Sequence, residues 1–233
     1  MTATLPRVLP SPDGKPLPPP GTGDTFRTFA QDLATSRRPW TAETAQFIAE
    51  QFDELAADWD TNRATGRDEP VRDALARGGL LPQGPCLELG SGTGLFTPVL
   101  TAAFPEVISI DLSMGMLQQA QGRSPQRVQA DAGALPLPDA SVTVVAAIDI
   151  LLFSAETARV LAPDGVLLWI NQLGSDGPLY LPASDVAAAL PGTWQATESE
   201  AGWGSWAVLR RWQGGMPKFE EPHDAPGGSG SPG

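Results

Sequence analysis

The sequence predicts a doubly wound α/β fold on a mostly parallel sheet, and three features carry that prediction. The first is the run CLELGSGTG, Cys86 to Gly94, where a short apolar stretch stops at Glu88 and opens into glycines at Gly90, Gly92 and Gly94. Such a run reads as a buried parallel strand turning sharply into a helix. The second is repetition: VISID ends in Asp111, RVQAD in Asp131 and SVTVVAAID in Asp149, so successive strand candidates each finish on a carboxylate. The third is spacing, since Asp111 falls about 20 residues beyond the glycines, the separation of one βαβ unit. In a parallel sheet these acids share one edge, at the carboxyl ends of the strands, where ligands bind in open α/β folds.

Taken in chain order, residues 1–23 carry prolines at 6, 10, 12, 16, 18, 19 and 20. Prolines remove backbone donors and favour extended chain, so this segment reads as a disordered arm. Residues 24–79 read as an N-terminal helical cap. Within it, TAETAQFIAEQFDELAADWD sets Ile48, Phe52, Leu55, Ala56 and Trp59 on one helix face, with Thr41 as the N-cap. A further helix starts near Glu69, directly behind Arg67. Residues 80–213 read as the core. The helix after the glycine loop, from about Leu95 through Leu100, turns its unsatisfied N–H groups and the positive end of its dipole toward the loop. Glycine matters there because a side chain would keep the backbone away from a ligand. Beyond a fifth strand at Val166 to Asn171, SDVAAAL is a brief helix capped by Ser184, and Thr193 to Trp212 reads as two strands about a Gly202–Gly204 turn. Residues 214–233 cannot bury enough apolar surface to offset their ordering entropy and read as a disordered tail.

Composition narrows the function. The chain has 233 residues, 41% of them hydrophobic, and a net charge of −12, which suits one globular domain and repels a polyphosphate backbone. Its basic doublets, Arg37-Arg38 and Arg210-Arg211, make no cluster, so nucleic acid is disfavoured as a substrate. No window holds ~18 consecutive apolar residues and no apolar h-region follows a basic start, which predicts no membrane span, no signal peptide and a cytoplasmic location. The single cysteine, Cys86, sits inside a strand candidate and reads as a packed core thiol. The single histidine, His223, lies in the tail, so no histidine base is expected in the site.

The glycines alternate, G-S-G-T-G, whereas the dinucleotide fingerprint needs a third glycine where this chain has Leu95. The run resembles instead the first motif of the class I S-adenosylmethionine-dependent methyltransferases, E/D-x-G-x-G-x-G, matched by Glu88, Gly90, Gly92 and Gly94. DLSMGML from Asp111, QADAGALPLPDASV and ARVLAPDGVLLW from Ala158 resemble the later motifs of that family. The resemblance covers roughly Leu80 to Ile170. It implies a seven-stranded sheet in the order 3-2-1-4-5-7-6 with strand 7 antiparallel, S-adenosyl-L-methionine as cofactor, and in-line methyl transfer to a small-molecule acceptor. Methylation of protein or RNA, or cofactor binding without catalysis, are the other readings.

The resemblance also implies roles. Glu88, with Gly90, Ser91, Gly92 and Gly94, orients the methionine moiety, and Asp111 accepts from the ribose hydroxyls. Leu112 and Met116 flank the adenine, unless Met116 is plain core, and Asp131 with the Ala132 backbone reads the adenine edge. Ile148 touches the cofactor through its main chain. FDELAADWD resembles a segment that covers the cofactor in small-molecule members, with Trp59 as a lid or a packing residue. Arg67 and Arg63 are candidates to pair with the cofactor's carboxylate, against a solvated turn as the alternative. Asp149 either accepts a proton from the methyl acceptor or fixes the loop after the fourth strand, the second being favoured. Acceptor recognition falls to the cap and to loops including Leu152, Phe153 and Tyr180, while Trp194, Trp203 and Trp206 either line a pocket or cover the sheet. No metal is implied.

Overall fold

The computed structural model describes residues 2–15, 24–61 and 66–212. In chain order they form β1 (Thr2–Thr4), α1 (Asp24–Ala34), α2 (Ala42–Leu55) leading into a 3₁₀ turn at Ala56–Asp58, α3 (Glu69–Arg77), β2 (Pro85–Leu89), α4 (Thr97–Ala103), β3 (Glu106–Asp111), α5 (Met114–Gln119), β4 (Gln126–Gln129), β5 (Val142–Ile148), α6 (Ser154–Val160), β6 (Leu161–Asn171), α7 (Ala183–Ala189), β7 (Trp194–Ala201) and β8 (Gly204–Arg211). One sheet holds the strands in the order β1-β7-β8-β6-β5-β2-β3-β4. Its pairs are parallel except β6 with β8 and β7 with β8. Counted from β2, this is the anticipated order with its antiparallel seventh strand, and β1 adds an eighth at the edge.

The central strands are continuous apolar runs because both of their faces are covered. Along β5, Val145 and Ala147 enter one core with Leu87, Leu167 and Trp169. Val144, Ala146 and Ile148 enter the opposite core with Cys86, Leu168 and Ile170. Residues of α6 and α7 close the first core, and residues of α3 and α4 the second. Cys86 is fully buried, and burial pushes its thiol above the usual range.

The arm over 1–23 departs from the disordered reading in its described part. Thr2–Thr4 pair in parallel with Ala196–Glu198, and main-chain carbonyls anchor the chain from there to Pro12. Gly202 N–H donates to Leu9 O at 3.2 Å, Arg77 Nη1 to Pro6 O at 3.0 Å and Trp203 Nε1 to Pro12 O at 2.7 Å. Proline removes a donor but keeps its acceptor, and acceptors are what this segment supplies. Residues 16–23, the tail from 213 and Arg63 lie outside the described residues.

Two local readings also change. Ser184 is not a cap: α7 starts one residue earlier, behind Pro182, whose extended backbone sets the entry. Leu55 is 52% exposed, because α2 ends there and tightens into the 3₁₀ turn, which rotates the stripe onto buried Ala56 and onto Trp59, packed edge-on to Phe52. Thr41 caps α2 by accepting from Thr44 N–H at 3.2 Å. Among the described residues, no helix is long and apolar enough to cross a membrane.

Candidate functional site

The loop that leaves β2 turns through three left-handed glycines, with φ of +63° at Gly90, +54° at Gly92 and +73° at Gly94. Their surroundings differ. A Cβ on Gly90 would stand 2.8 Å from Ile150 Cδ1, and one on Gly94 3.2 Å from Ala120 Cβ, so these two permit close packing. Among the described residues a Cβ on Gly92 would meet only Trp59 Nε1, at 4.0 Å, so space opens between this glycine and the indole. The loop is pinned from beneath: Ser91 N–H donates to Ile110 O at 3.0 Å and Gly92 N–H to Asp111 Oδ2 at 2.7 Å.

The strand-end acids gather as anticipated. Glu88 is 1% exposed, and its Oε2 accepts from Thr97 Oγ1 at 2.6 Å and Ser109 Oγ at 2.8 Å. Its Oε1, like Ser91 Oγ, is buried with no partner among the described residues. Burial pushes this carboxyl up to about 7, against the opposing pull of the two hydroxyls. Asp111 is also raised by burial, while its oxygens hold the Gly92 and Ser113 N–H groups at 2.7 and 2.8 Å. Asp131 accepts from Gly133 N–H at 2.7 Å and from Trp40 Nε1 at 2.8 Å. Met116, Ala132 and Ile148 are buried at 1%, 8% and 5% exposure, and the Leu112 carbonyl accepts from Gln129. Asp149 sits at φ +46°, accepts the Gln172 N–H at 3.0 Å and donates its own N–H to Ile170 O. That geometry ties the loop after β5 to β6.

The cap contributes residues that the sequence reading passed over. Asp53 Oδ1 accepts from Gly115 N–H at 2.7 Å and from the Ser113 hydroxyl, so it ties α2 to the first turn of α5. Asp60 Oδ1 accepts from Thr93 Oγ1 at 2.7 Å inside the glycine loop, and its other oxygen pairs with Arg123. Trp40 grips Asp131 and meets Phe153 edge-on. Each tie therefore reaches a different loop, after β2, β3 and β4. Asp53 and Asp60 are the two acids of FDELAADWD that bracket this cap segment, so a signal existed; Trp40 carried none.

Arg67 is buried at 8% exposure. Its Nη1 lies 3.5 Å from Gln172 Oε1, and Nε has no partner among the described residues. Burial lowers its pKa, partly offset by the charge of Asp149. It thus sits over the ends of β5 and β6. Trp194, Trp203 and Trp206 are buried and spend their N–H groups on Pro191 O, Pro12 O and Asp73. A cavity of about 250 Å³, lined in part by Thr4, Arg7, Tyr180 and Glu198, lies at the β1 end of the sheet, away from the glycine loop. Among the described residues no group of three or more His, Cys, Asp or Glu is placed to hold a metal ion.

Residues 87–169 match the family model described as a methyltransferase domain. The chain is 34% identical over 148 residues to the biotin biosynthesis bifunctional protein BioHC of Cellvibrio japonicus, covering 58% of this chain and 28% of that protein. It is 32% identical over 133 residues to a malonyl-[acyl-carrier protein] O-methyltransferase of Serratia marcescens, covering 53% and 52%. The matches thus span about half the length of these curated relatives or less. The solved structure of a SAM-dependent methyltransferase from Aquifex aeolicus superposes with a TM-score of 0.52 at 18% identity, covering 70% of this chain and 97% of that one. Residues 87–169 accordingly match a methyltransferase domain, and the chain shares the fold of that S-adenosylmethionine-dependent methyltransferase.

Proposed function

We propose that this protein binds S-adenosyl-L-methionine along the ends of β2, β3 and β4 and transfers its methyl group to a small-molecule acceptor. One observation carries the reading: open space over Gly92, beneath Trp59, beside a buried carboxylate with one oxygen unpartnered. An unsatisfied buried acceptor of this kind costs about 1–3 kcal/mol, and an ammonium group would satisfy it. Glu88 would hold that ammonium. Asp111, already fixed by two N–H groups, retains lone pairs for ribose hydroxyls. Asp131 and the Ala132 main chain would meet the adenine edge, with Leu112, Met116 and Ile148 as apolar surroundings.

When bound, the cofactor supplies a methyl group already activated on a sulfonium. The chain's part is to hold the acceptor in line with that methyl group and to keep water out, for which effective molarities of ~10⁵ M or more are reached in favourable cases. Asp149 would act by fixing its loop, since its Oδ1 accepts the Gln172 N–H and its own N–H donates to Ile170 O. The net charge of −12 supports a small molecule over a nucleic acid, and the name of the Serratia relative supports an acyl compound as acceptor.

Titration calorimetry tests the foundation. S-adenosylmethionine should bind and NAD should not; the reverse result would remove the assignment. Gly92→Asp should abolish the heat by filling the cradle, and unchanged affinity would mean that this loop is not the cradle. Labelled methyl transfer into fractionated extract then separates the acceptor classes. Label in small molecules is expected, label in protein or RNA opposes the reading, and no label anywhere favours binding without catalysis.

A further inference from the structure

Arg67 is a buried cation at the strand-end edge, with the charge of Asp149 nearby and one donor left over. It is 8% exposed, its contact with Gln172 Oε1 at 3.5 Å is long for a hydrogen bond, and its Nε–H has no partner among the described residues. A donor on a charged group kept from water without a partner carries a desolvation cost that only a bound acceptor removes. Its position is informative. Gln172 directly follows β6, which stands two strands from β2, roughly 10 Å along the edge at the usual strand spacing. Arg67 therefore lies to the side of the glycine cradle, where β5 and β6 end.

The loops leaving those two strands make an apolar wall. Leu151, two residues past Asp149, packs with Ala30 and Leu33 of α1, and Leu179 from the loop after β6 joins them. One acid of the same region, Glu69 at the start of α3, has a buried Oε2 without a partner among the described residues. Asp149 already accepts the Gln172 N–H, the Tyr180 phenol is held further from ionising by burial and by Glu198 and Glu200, and the described residues contain no histidine. A buried cation beside an apolar wall suits a substrate that arrives as an anion with an apolar body.

We infer that Arg67, supported by Gln172, anchors a carboxylate, and that the methyl acceptor is a carboxylic acid esterified on its carboxylate oxygen. This rests on the proposal that the donor is S-adenosylmethionine. One carboxylate oxygen takes the Nε–H of Arg67 and the other stays free to react. A lone pair of the free oxygen forms the new oxygen–methyl bond while the carbon–sulfur bond of the sulfonium breaks, its electron pair remaining on sulfur. Anion and cation are consumed together, giving a neutral ester and a thioether. No proton is released and no base is required.

The test uses the full chain and reads binding as well as transfer. Octanoate and succinate, with octanamide and succinamide as neutral controls, are titrated into the protein with and without S-adenosylhomocysteine. At least one acid should bind, its amide should bind at least about 10-fold more weakly, and Arg67→Gln should weaken the acid about 10- to 100-fold. Arg67→Lys should recover only part of that, because the ammonium lacks the planar fork. Thermal unfolding establishes that both variants are folded. S-adenosylhomocysteine affinity should change less than about 3-fold in Arg67→Gln; its collapse would assign Arg67 to the donor's own carboxylate and overturn the inference. Labelled methyl on the product should be released as methanol by mild alkali, with no acid liberated per turnover in weak buffer. Alkali-stable label, one proton per turnover, or no binding of either acid would each overturn it. Should the wild type bind no S-adenosylmethionine, the donor reading fails, and acid binding lost in Arg67→Gln would still support the anchor on its own.

Discussion

Replacing Glu88 with glutamine separates stability from cofactor binding in opposite directions. Burial moves the Glu88 carboxyl from its ordinary 4.5 up to about 7. A carboxyl raised on folding favours the folded state while protonated: that contribution is complete below about pH 4.5 and is lost as pH rises through 7. The difference of about 2.5 units, at 1.36 kcal/mol per unit, means that the ligand-free protein gives up about 3 kcal/mol between pH 4.5 and pH 8 through this one group. Glutamine cannot ionise and escapes that loss, but its NH₂ must find an acceptor beside Thr97 and Ser109, so a net gain of about 2 kcal/mol is expected at pH 8. For a chain of this size that is ~4–8 °C in Tm. At pH 5 the two proteins should melt much closer together. S-adenosylmethionine affinity should move the other way, falling about 10- to 100-fold at pH 8 because a charge-assisted hydrogen bond is worth about 1.5–3 kcal/mol. For the wild type, affinity should tighten from pH 6 to pH 8 as Glu88 ionises. Differential scanning fluorimetry across pH and calorimetry with the cofactor read both arms. A glutamine variant that melts lower than wild type at pH 8 and binds the cofactor with unchanged affinity would refute the account of this residue.

Other perturbations probe the cap and the edge. Trp40→Phe keeps the ring against Phe153 but removes the hydrogen bond to Asp131; it should cost about 1 kcal/mol of stability and speed cofactor release several-fold in stopped-flow displacement. Gly202→Ala forces a Cβ to 2.0 Å from Glu69 Oε2 at φ +55° and should lower stability by about 1–3 kcal/mol, read from denaturant melts. Deleting residues 2–9 should lower Tm, since β1 and the Leu9 tie to Gly202 are lost, yet leave calorimetric cofactor affinity near the wild-type value, because the glycine loop lies across the sheet.

How much the sequence disclosed depends on where burial is two-sided. Strands β2, β3, β5 and β6 carry apolar runs because a core lies on each face, and β2, β3 and β5 each end at or beside an acid that marks the binding edge. These were legible as runs. β1 was not, since its three residues TAT have no apolar pattern and pair with a strand 194 positions away. The helix α1 merged into an undivided cap for a similar reason, its buried Ala30 and Leu33 meeting a loop rather than a strand. In the site, strand ends placed Glu88, Asp111, Asp131 and Asp149, while their partners are tertiary. Trp40 reaches Asp131 across 91 positions, a contact that no local pattern encodes. Arg67 stood out only as a cation near the loop, and its burial over β6 emerged with the fold.

The edge pairing of β1 also sets an order of events during synthesis. Residues 2–4 are made before β7, yet their partners are Ala196–Glu198. At ~5–20 residues per second, the arm waits roughly 10–40 s for its strand to be translated. Until it docks, the outer edge of β7 offers unpaired N–H and C=O groups to any extended chain nearby. A bulky fusion at the amino end that prevents docking would prolong that exposure, so soluble yield should depend more on which end carries a tag than on the stability of the finished sheet.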